Sequence, residues 1–267
     1  MLPDFEMIVH KIDTTEDITV IPLFDVHLGA REHMEGAFQD FLKMVANTPN
    51  TYLILGGDLI NNATRSSVSN IFEETLRPSE QKKLMAQMLA PVKDRILCSV
   101  TGNHERRSGK DADDDPAYDI MCKLDIENLH RENIAFVKIQ LGKKENDSGT
   151  RRPGTRRPSY VLVVTHGAGG GIYTGTAVLR SERFSYTIDG ADALIVRHTH
   201  KPFTSQPGKI VIDPRNDRIT VKPVKVISAT SWMEFGGYAA QKMLLPSSHC
   251  LHTLTLRGSK KEITVTM

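Results

Sequence analysis

Short apolar runs alternate with helix-like segments in the N-terminal part of this 267-residue chain. Three runs are continuous enough to be buried strands, and they lie at residues 18–24, 52–55 and 95–101. Helical spacing of apolar side chains occurs in the segments between them, at residues 35–45, 66–76 and 80–92. Strands that alternate with helices pair in parallel, so this order predicts an α/β fold.

Further strand and helix patterns follow in the rest of the chain. Strands are predicted at residues 7–12, 134–141, 160–165 and 191–196, and helices at residues 117–124 and 177–188. Residues 108–115 are polar and predict a loop. The later short runs predict antiparallel strands that complete a second sheet: 210–212, 219–221, 224–227, 251–256 and 263–265. Because no break in composition divides the chain, we expect a single domain of residues 1–267.

The cysteines and the charge indicate the setting of the protein. Its cysteines, Cys98, Cys122 and Cys250, are odd in number and widely spaced, so they do not form a disulfide framework. The N-terminus has no leader pattern, and no apolar run approaches the roughly 20 residues of a membrane helix. These features predict a cytoplasmic protein without membrane contact. The net charge of +2 permits a polyanionic partner without requiring one.

Polar motifs end or follow five of the predicted strands. They are Asp25-x-His27, Gly57-Asp58, Gly102-Asn103-His104-Glu105, Thr165-His166-Gly167 and His198-x-His200. The carboxyl ends of parallel strands meet at one edge of a sheet, so we expect these side chains to converge. Mixed imidazole, carboxylate and amide ligands suit first-row divalent ions, with Mn²⁺ favoured and Fe, Zn²⁺ or Ni²⁺ as alternatives.

Spacing within the motifs indicates how two ions would be shared. Residues i and i+2 of an extended segment point the same way, so Asp25 and His27 can hold one ion. A bend at residues 198–200 would aim one imidazole at each of two ions. A carboxylate is the best bridge between ions roughly 3.5–4 Å apart, and Asp58 is the natural candidate.

In this order, the motifs resemble D-x-H, G-D, G-N-H-[DE], H and G-H-x-H of the calcineurin-like metallophosphoesterase superfamily. The resemblance implies a four-layer α/β/β/α sandwich of two mixed sheets flanked by helices, with two divalent metal ions. It implies a first ion on Asp25, His27, Asp58 and His200, and a second ion on Asp58, Asn103, His166 and His198. It also implies that a hydroxide between the ions attacks phosphorus while His104, as general acid, protonates the leaving group.

Departures from the superfamily pattern bear on the substrate. Arg197 stands where a glycine usually precedes the His-x-His motif. Asn61 and Asn62 stand where the protein Ser/Thr phosphatases carry an aspartate that orients the proton donor and an arginine that holds phosphate. This disfavours a protein phosphatase, although the amide oxygen of Asn61 could still orient His104. The repair nucleases usually carry an aspartate where this chain has Glu105, together with a separate capping domain.

Arginines give the remaining indications about the substrate. Arg106 could bind a substrate phosphate beside His104, or it could form a solvated pair with Arg107. The arginines between residues 151 and 157 could follow a nucleic-acid backbone, or they could lie in a solvated loop. We therefore expect a phosphodiesterase acting on nucleic acid or nucleotides. The alternatives are a phosphomonoesterase of small or protein substrates and a weakly active metal-binding subunit of a larger complex, and a homo-oligomer stays open.

Overall fold

A computed structural model describes residues 3–65, 67, 71–142, 158–169, 173–229, 231–246 and 249–267. Two six-stranded mixed sheets pack on a shared core, with helices on their outer sides, which confirms the predicted four-layer α/β/β/α sandwich. No helix within these ranges is long and apolar enough to cross a membrane. The arginine-rich segment at 151–157 lies outside the described residues.

Strands and helices alternate through much of the chain. The strands are β1 (Ile8–Ile12), β2 (Ile18–Leu23), β3 (Thr51–Leu55), β4 (Ile96–Val100), β5 (His130–Arg131), β6 (Ile134–Leu141), β7 (Ser159–Thr165), β8 (Ala193–Val196), β9 (Phe203–Ser205), β10 (Gly208–Asp213), β11 (Arg218–Pro223), β12 (Lys225–Ser228), β13 (Thr253–Leu256) and β14 (Ile263–Thr266). The α-helices are α1 (Glu35–Asn47), α2 (Pro78–Leu89), α3 (Glu105–Ala112), α4 (Pro116–Lys123), α5 (Thr174–Ser185) and α6 (Gly237–Gln241). Short 3₁₀ helices lie at Pro3–Phe5, Ile71–Glu73, Ala90–Arg95 and Glu127–Leu129.

The first sheet carries the first three polar motifs. Its order is β14-β13-β2-β3-β4-β5, in which β2 to β5 run parallel and β13 runs antiparallel to both of its neighbours. The second sheet has the order β1-β6-β7-β8-β12-β9, and its parallel strands β7 and β8 precede the other two motifs. Each sheet therefore presents polar motifs at the carboxyl ends of parallel strands.

Three apolar clusters separate the four layers. The central cluster fills the space between the sheets and includes the fully buried Phe24, Ile54 and Tyr160. A second cluster joins the first sheet to α1, α2 and α4, and a third joins the second sheet to α5. The sequence leaves open whether Trp232 packs or lines a substrate cleft. Its ring centroid lies 4.8 Å from that of Phe41 within the second cluster, so Trp232 packs in the core.

The helix predicted at residues 66–76 is wrong for the part of it that the structure describes. A short 3₁₀ helix at Ile71–Glu73 is the helical turn found there, and residues 66 and 68–70 lie outside the described part. Phe72 is 86% exposed, so the apolar residues that suggested a helix do not reach a core. Glu74 instead accepts hydrogen bonds from the side chains of Asn61 and Gln81 and holds the segment in an irregular loop.

Residues 108–115, which the sequence predicts as a polar loop, overlap a helix. α3 begins at Glu105 and ends before Asp113, whose φ of 53° is left-handed. The inward face of α3 is formed by Glu105 and Ser108, which are buried although they are polar. Apolar periodicity does not reveal such a helix, because the side chains that face the protein are hydrogen-bonding groups.

The sequence predicts that the strands after residue 208 complete the second sheet. This prediction is wrong for some of them. β12 joins it in parallel with β8, and β9 pairs with β12 at its edge. β13 and β14 instead extend the first sheet beside β2, while β10 and β11 form a separate antiparallel hairpin. Spacing along the chain does not determine these choices, because both sheets offer an edge to later strands.

Asp115 caps α4 and contacts the strand that follows it. Its carboxylate accepts hydrogen bonds from the backbone N–H groups of Ala117 and Tyr118 at 3.0 and 3.2 Å, and it lies 3.4 Å from His130 Nε2. Burial opposes ionisation of Asp115. The hydrogen bonds from His130 and from the Tyr118 backbone outweigh burial and lower the pKa of this carboxyl group below its ordinary value.

Replacing Asp115 tests this cap. Asp115→Ala should lower the free energy of unfolding by about 1 kcal/mol at neutral pH, the usual cost of a lost N-cap. Because the folded pKa is lowered, the contribution of the charge is present above the unfolded pKa of about 4 and is lost as the pH falls through the folded pKa. Urea unfolding at neutral and acidic pH measures both effects. Asp115→Asn is the matched control, since asparagine caps without charge, and an alanine variant as stable as the wild type would contradict the assignment.

Candidate metal centre

The five polar motifs meet at the carboxyl edge of the two sheets. Backbone hydrogen bonds tie their loops together within each sheet. The N–H of Asp25 donates to the carbonyl of Gly57 at 3.2 Å, and the N–H of Arg197 donates to the carbonyl of His166 at 3.2 Å. The loops that follow β2 and β3, and those that follow β7 and β8, are therefore fixed relative to each other.

Most of the predicted ligands have a left-handed backbone. Their φ angles are 47° for Asp25, 50° for His27, 52° for Asp58, 94° for His198 and 52° for His200. Non-glycine residues adopt this region uncommonly, and asparagine, aspartate and histidine tolerate it best. The prediction that Asp25 and His27 lie in an extended segment is wrong. Their side chains approach each other because both residues turn the chain.

Asp25, His27 and His200 form one group, whose potential ligand atoms all lie within 4.8 Å of one another. His200 Nε2 is 3.6 Å from Asp25 Oδ2, and the ring centroids of His27 and His200 are 5.4 Å apart. Among the described residues, Asp25 Oδ1 and both ring nitrogens of His27 are buried without a hydrogen-bond partner. Buried polar atoms nearly always have one, so these atoms are available for a ligand that the protein does not supply.

A second group forms around Asn103. Its Oδ1 lies 2.9 Å from His166 Nε2 and 2.7 Å from His198 Nδ1. His166 Nε2 also lies 3.3 Å from Asp58 Oδ2, so these four side chains form a continuous cluster. The structure thus brings the predicted ligands together at one place. Their grouping also crosses the two predicted sets, because Asp25 lies with Asp58 and His166, and His27 with Asp58 and His104.

Asp58 lies between the two groups. Its Oδ2 is 3.3 Å from His166 Nε2 and 3.9 Å from His27 Nε2. Burial opposes ionisation of Asp58, but the neighbouring imidazoles, led by His166, hold the pKa of its carboxyl group well below the ordinary value. An ionised carboxylate between two ligand sets has the position and the charge that a bridge between cations requires.

Outer hydrogen bonds select the nitrogen that two of the imidazoles, His166 and His200, present. His166 Nδ1 lies 2.9 Å from the carbonyl of Gly56, which can only accept, so Nδ1 carries the proton and Nε2 faces the cluster. His200 Nδ1 lies 3.0 Å from Ser231 Oγ, which leaves its Nε2 toward Asp25. Metal-binding histidines are generally oriented by such second contacts.

The donor set fits two divalent first-row cations. It combines two buried carboxylates, four imidazoles and one amide oxygen, together with the unpartnered atoms of Asp25 and His27. Burial alone would lower the pKa of His166, but the Asp58 carboxylate outweighs burial and raises that pKa to about 10. A cation on the same atoms would replace the Nε2 proton of His166, because a metal-bound imidazole is neutral.

His104 lies beside the two groups and is oriented by main-chain atoms. Its backbone N–H donates to Asp58 Oδ1 at 2.8 Å, and its Nδ1 donates to the carbonyl of Asn61 at 2.8 Å. The side chain of Asn61 instead donates to Glu74. The group that orients His104 is therefore the Asn61 carbonyl, not the side-chain amide that the sequence suggested. Its Nε2 lies 3.9 Å from Asp58 Oδ2.

The arginine that contacts His104 is Arg107. Its Nη2 donates to His104 Nε2 at 2.9 Å, and its Nη1 donates to the Asn61 carbonyl at 3.1 Å. Burial lowers the pKa of His104 to about 4. The Asp58 charge opposes this shift, and the Arg107 charge adds to it. Arg106 lies elsewhere, with Nη2 donating to the carbonyl of Glu132 at 2.7 Å. Arg106 and Arg107 are adjacent in a helix, so their side chains point to different sides of α3. The sequence did not predict a helix at these residues.

Arg197 and Glu105 support the site in ways that the sequence did not reveal. Arg197 is buried, and its Nε donates to Asp25 Oδ2 at 2.9 Å. Glu105 is fully buried, and its carboxylate accepts backbone hydrogen bonds from Asp58 and Gly102, which lie on two different motif loops of the first sheet. The sequence did offer a signal for Arg197, because an arginine stands there where a glycine usually precedes the His-x-His motif. Glu105 stands at the last position of the G-N-H-[DE] motif, but the motif does not indicate that its carboxylate accepts backbone hydrogen bonds.

Known proteins place the chain in a family. A family model, calcineurin-like phosphoesterase, matches residues 25–204. A predicted phosphoesterase from Streptococcus pneumoniae TIGR4 is similar over 93% of this chain and 88% of its own, with 10% identity and a TM-score of 0.39. The Haemophilus influenzae NAD nucleotidase (NadN) is similar over 94% of this chain, with 10% identity and a TM-score of 0.38, and the match spans about half (49%) of the nucleotidase. No curated protein matches in sequence. Since the family match covers more than half of its length, the chain belongs to the calcineurin-like phosphoesterase family and is a metal-dependent phosphoester hydrolase.

Proposed function

We propose that this protein is a two-ion phosphodiesterase that acts on nucleic acid or nucleotides, with Mn²⁺ as the favoured metal. The observation that carries the proposal is the contact of one arginine, Arg107, with His104 beside Asp58. A phosphodiester carries one negative charge, whereas a monoester, with a second pKa of about 6, carries nearly two at neutral pH. Among the described residues, Arg107 is the guanidinium in contact with His104, and one guanidinium matches a diester better than a monoester.

The two asparagines after Asp58 do not offer the missing phosphate contact. Asn62 Nδ2 donates to the carbonyl of His104 at 2.8 Å and to Ser108 Oγ at 2.9 Å, and its side chain is buried. The side chain of Asn61 donates to Glu74. Both side chains support the loop and α3, so Asn62, which stands where the protein phosphatases hold phosphate, serves the scaffold here.

Exposed aromatic side chains on loops that follow three strands are compatible with a substrate that contains bases. Phe72, Tyr173 and Phe235 are 86%, 71% and 51% exposed. They lie on the loops that follow β3, β7 and β12, and the first two of these strands also precede polar motifs. Stacking of a base on an exposed aromatic ring contributes about 1–3 kcal/mol and tolerates any base sequence. A nucleotide or a single strand could use this surface.

The protein groups define the proposed chemistry. Asp25, His27, Asp58 and His200 would hold one cation, and Asp58, Asn103, His166 and His198 would hold the other. Bound divalent cations supply an activated water and offset the negative charge of the phosphate. Arg107 would donate to a non-bridging phosphate oxygen, which fixes the ester beside His104.

His104 would transfer a proton to the leaving oxygen from Nε2, because Nδ1 is engaged by the Asn61 carbonyl. Arg107 donates to that same Nε2 in the structure. A phosphate oxygen that accepts the Arg107 hydrogen bond would therefore free His104 Nε2, and the negative charge of the phosphate would favour uptake of a proton from water at Nε2 before its transfer to the leaving oxygen. Substrate binding and preparation of the proton donor would then be one event.

A comparison of ester types tests the proposed function. The Mn²⁺-loaded protein should hydrolyse bis-p-nitrophenyl phosphate with a higher kcat/KM than p-nitrophenyl phosphate, because Arg107 offers one cation for one charge. Single-stranded DNA, duplex DNA, RNA and cyclic nucleotides then identify the substrate class. Predominant hydrolysis of the monoester would sink the phosphodiesterase proposal, and no turnover of any ester would favour a metal-binding subunit of a larger complex.

Arg107 should govern substrate binding, and Arg106 should not. Loss of a charged hydrogen bond costs about 1.5–3 kcal/mol, so Arg107→Ala should lower kcat/KM for a diester by roughly 10- to 100-fold. Arg106→Ala is the matched control on the same helix and should stay close to wild type. Steady-state kinetics on bis-p-nitrophenyl phosphate separates the two. A larger effect at Arg106 would reverse the assignment.

Metal content should distinguish a bridging ligand from a proton donor. Asp58→Asn keeps a residue that tolerates the left-handed φ of 52°, yet we expect it to lower occupancy of both ions, measured by elemental analysis. His104→Ala should retain two ions while turnover of esters with poor leaving groups falls by roughly 10²- to 10⁴-fold. Two ions in Asp58→Asn would refute the bridge, and metal loss in His104→Ala would refute the donor role.

A further inference from the structure

The hairpin of β10 and β11 continues a pair of strands that belongs to the second sheet. β9 pairs with β12 from Phe203↔Ser228 to Ser205↔Val226, and β10 pairs with β11 from Gly208↔Pro223 to Asp213↔Arg218. The N–H of Val224 donates to the carbonyl of Pro207 at 3.1 Å between these two ladders. The register is the same in both, so one antiparallel ribbon leaves the sheet and extends beyond it.

The outer part of this ribbon, residues 208–223, is called the arm below. Within the described chain, β10 and β11 pair with each other and with no further strand. The arm is six residue pairs long, which corresponds to about 20 Å at 3.4 Å per residue. An isolated two-stranded hairpin is marginally stable in water, so an arm of this length gains from contact with another surface.

One face of the arm is apolar and exposed. Ile210 lies opposite Val221, and Ile212 lies opposite Ile219, so the four side chains share a face. Their exposed fractions are 69%, 67%, 69% and 73%, respectively. Ordinary half-buried strands place their apolar side chains toward the protein, and the arm places these β-branched side chains toward the outside.

The opposite face of the arm is more polar and carries its cations. Lys209 lies opposite Lys222, and Asp213 lies opposite Arg218, with Val211 and Thr220 between them. Lys209 Nζ also lies 3.3 Å from Asp189 Oδ1 of the same chain. The apolar face therefore has neither the cations that phosphates attract nor an aromatic ring for base stacking. Its chemistry fits another apolar, β-branched surface.

We propose that the apolar face of the arm packs against the same face of a second copy of this chain. A two-fold axis requires a self-complementary patch, and the two neighbouring β-branched pairs, Ile210 with Val221 and Ile212 with Ile219, provide an apolar one. Burial of such side chains removes roughly 60–120 Å² each, so four of them per copy remove roughly 500–950 Å² of apolar surface from a dimer. Since interfaces are about 60% apolar, this corresponds to roughly 800–1,600 Å² in total, a range that includes the roughly 1,000 Å² that a specific interface needs.

The oligomeric state tests the arm directly. Sedimentation equilibrium of the full chain should give twice its mass of 29.8 kDa at micromolar concentration. The double variant Ile212→Thr with Ile219→Thr keeps strand propensity but makes the face polar, and it should raise the dimer dissociation constant by about 100-fold or more. Val211→Thr on the opposite face is the matched control and should leave the dimer unchanged.

Two outcomes would overturn the proposal. One is a wild-type chain that stays monomeric up to about 100 µM, including the case in which its arm binds lipid vesicles or DNA instead. The other is a dimer whose dissociation constant is the same in the double variant and in the wild type. Metal content and diesterase activity, measured in parallel, verify that the variants are folded, because the substituted residues are not among the metal-centre residues described above.

Discussion

The carboxylate of Glu105 holds the two loops that carry Asp58 and Asn103 in one arrangement. Its oxygens accept backbone hydrogen bonds from Asp58 at 2.9 Å, Leu59 at 2.7 Å, Ile60 at 3.2 Å and Gly102 at 3.0 Å. Burial and the charge of Asp58 raise the pKa of Glu105 to about 7, while the N–H donors favour its ionised form. Burial also keeps water from competing for these hydrogen bonds. The approach is so close that a Cβ on Gly102 would lie 2.1 Å from Asp58 Oδ1. The glycine and the glutamate at the two ends of the Gly-Asn-His-Glu motif therefore bring the loops together, and the two residues between them face the metal centre.

The left-handed turns at the ligand residues depend on the sheets behind them. A non-glycine residue in this region costs free energy, which local sequence does not recover. Here, Asp25 follows β2 and Asp58 follows β3, two adjacent parallel strands that end in fully buried apolar residues. The N–H of His27 donates to the carbonyl of Asp58 at 3.0 Å, so each turn is braced by the neighbouring one. The sandwich thus places the carboxylates through main-chain contacts, and a substitution that loosens β2 or β3 would reach the centre without touching a ligand.

The sequence predicts those features of the site that depend on local patterns, such as a polar residue at the end of a buried strand. Asp25, Asp58 and His166 each stand directly after a continuous apolar run, and parallel strands deliver such residues to one edge, so their convergence could be anticipated. The orientation of His104 could not, because its partner is the main-chain carbonyl of Asn61, an atom that every residue has. Arg107 could not be chosen over its neighbour without knowing that α3 begins at Glu105. The helix itself was hidden because its buried face is polar, and the sheet that β13 joins depends on long-range edges.

The arginine at position 197 shows how one departure from a motif can be absorbed by the charge balance of a site. Asp25 and Asp58 are both buried, and a buried carboxylate without a partner is strongly unfavourable. Asp58 is neutralised mainly by His166, whose proton a cation would displace. Asp25 instead has Arg197, whose Nε lies 2.9 Å from Oδ2 and whose charge is permanent. The guanidinium contacts Oδ2, the oxygen that also lies 3.6 Å from His200 Nε2, and Oδ1 of Asp25 stays buried without a hydrogen-bond partner among the described residues. A glycine at this position would leave Asp25 without that cation, so the larger residue stabilises the charge of the carboxylate beside the ligand group.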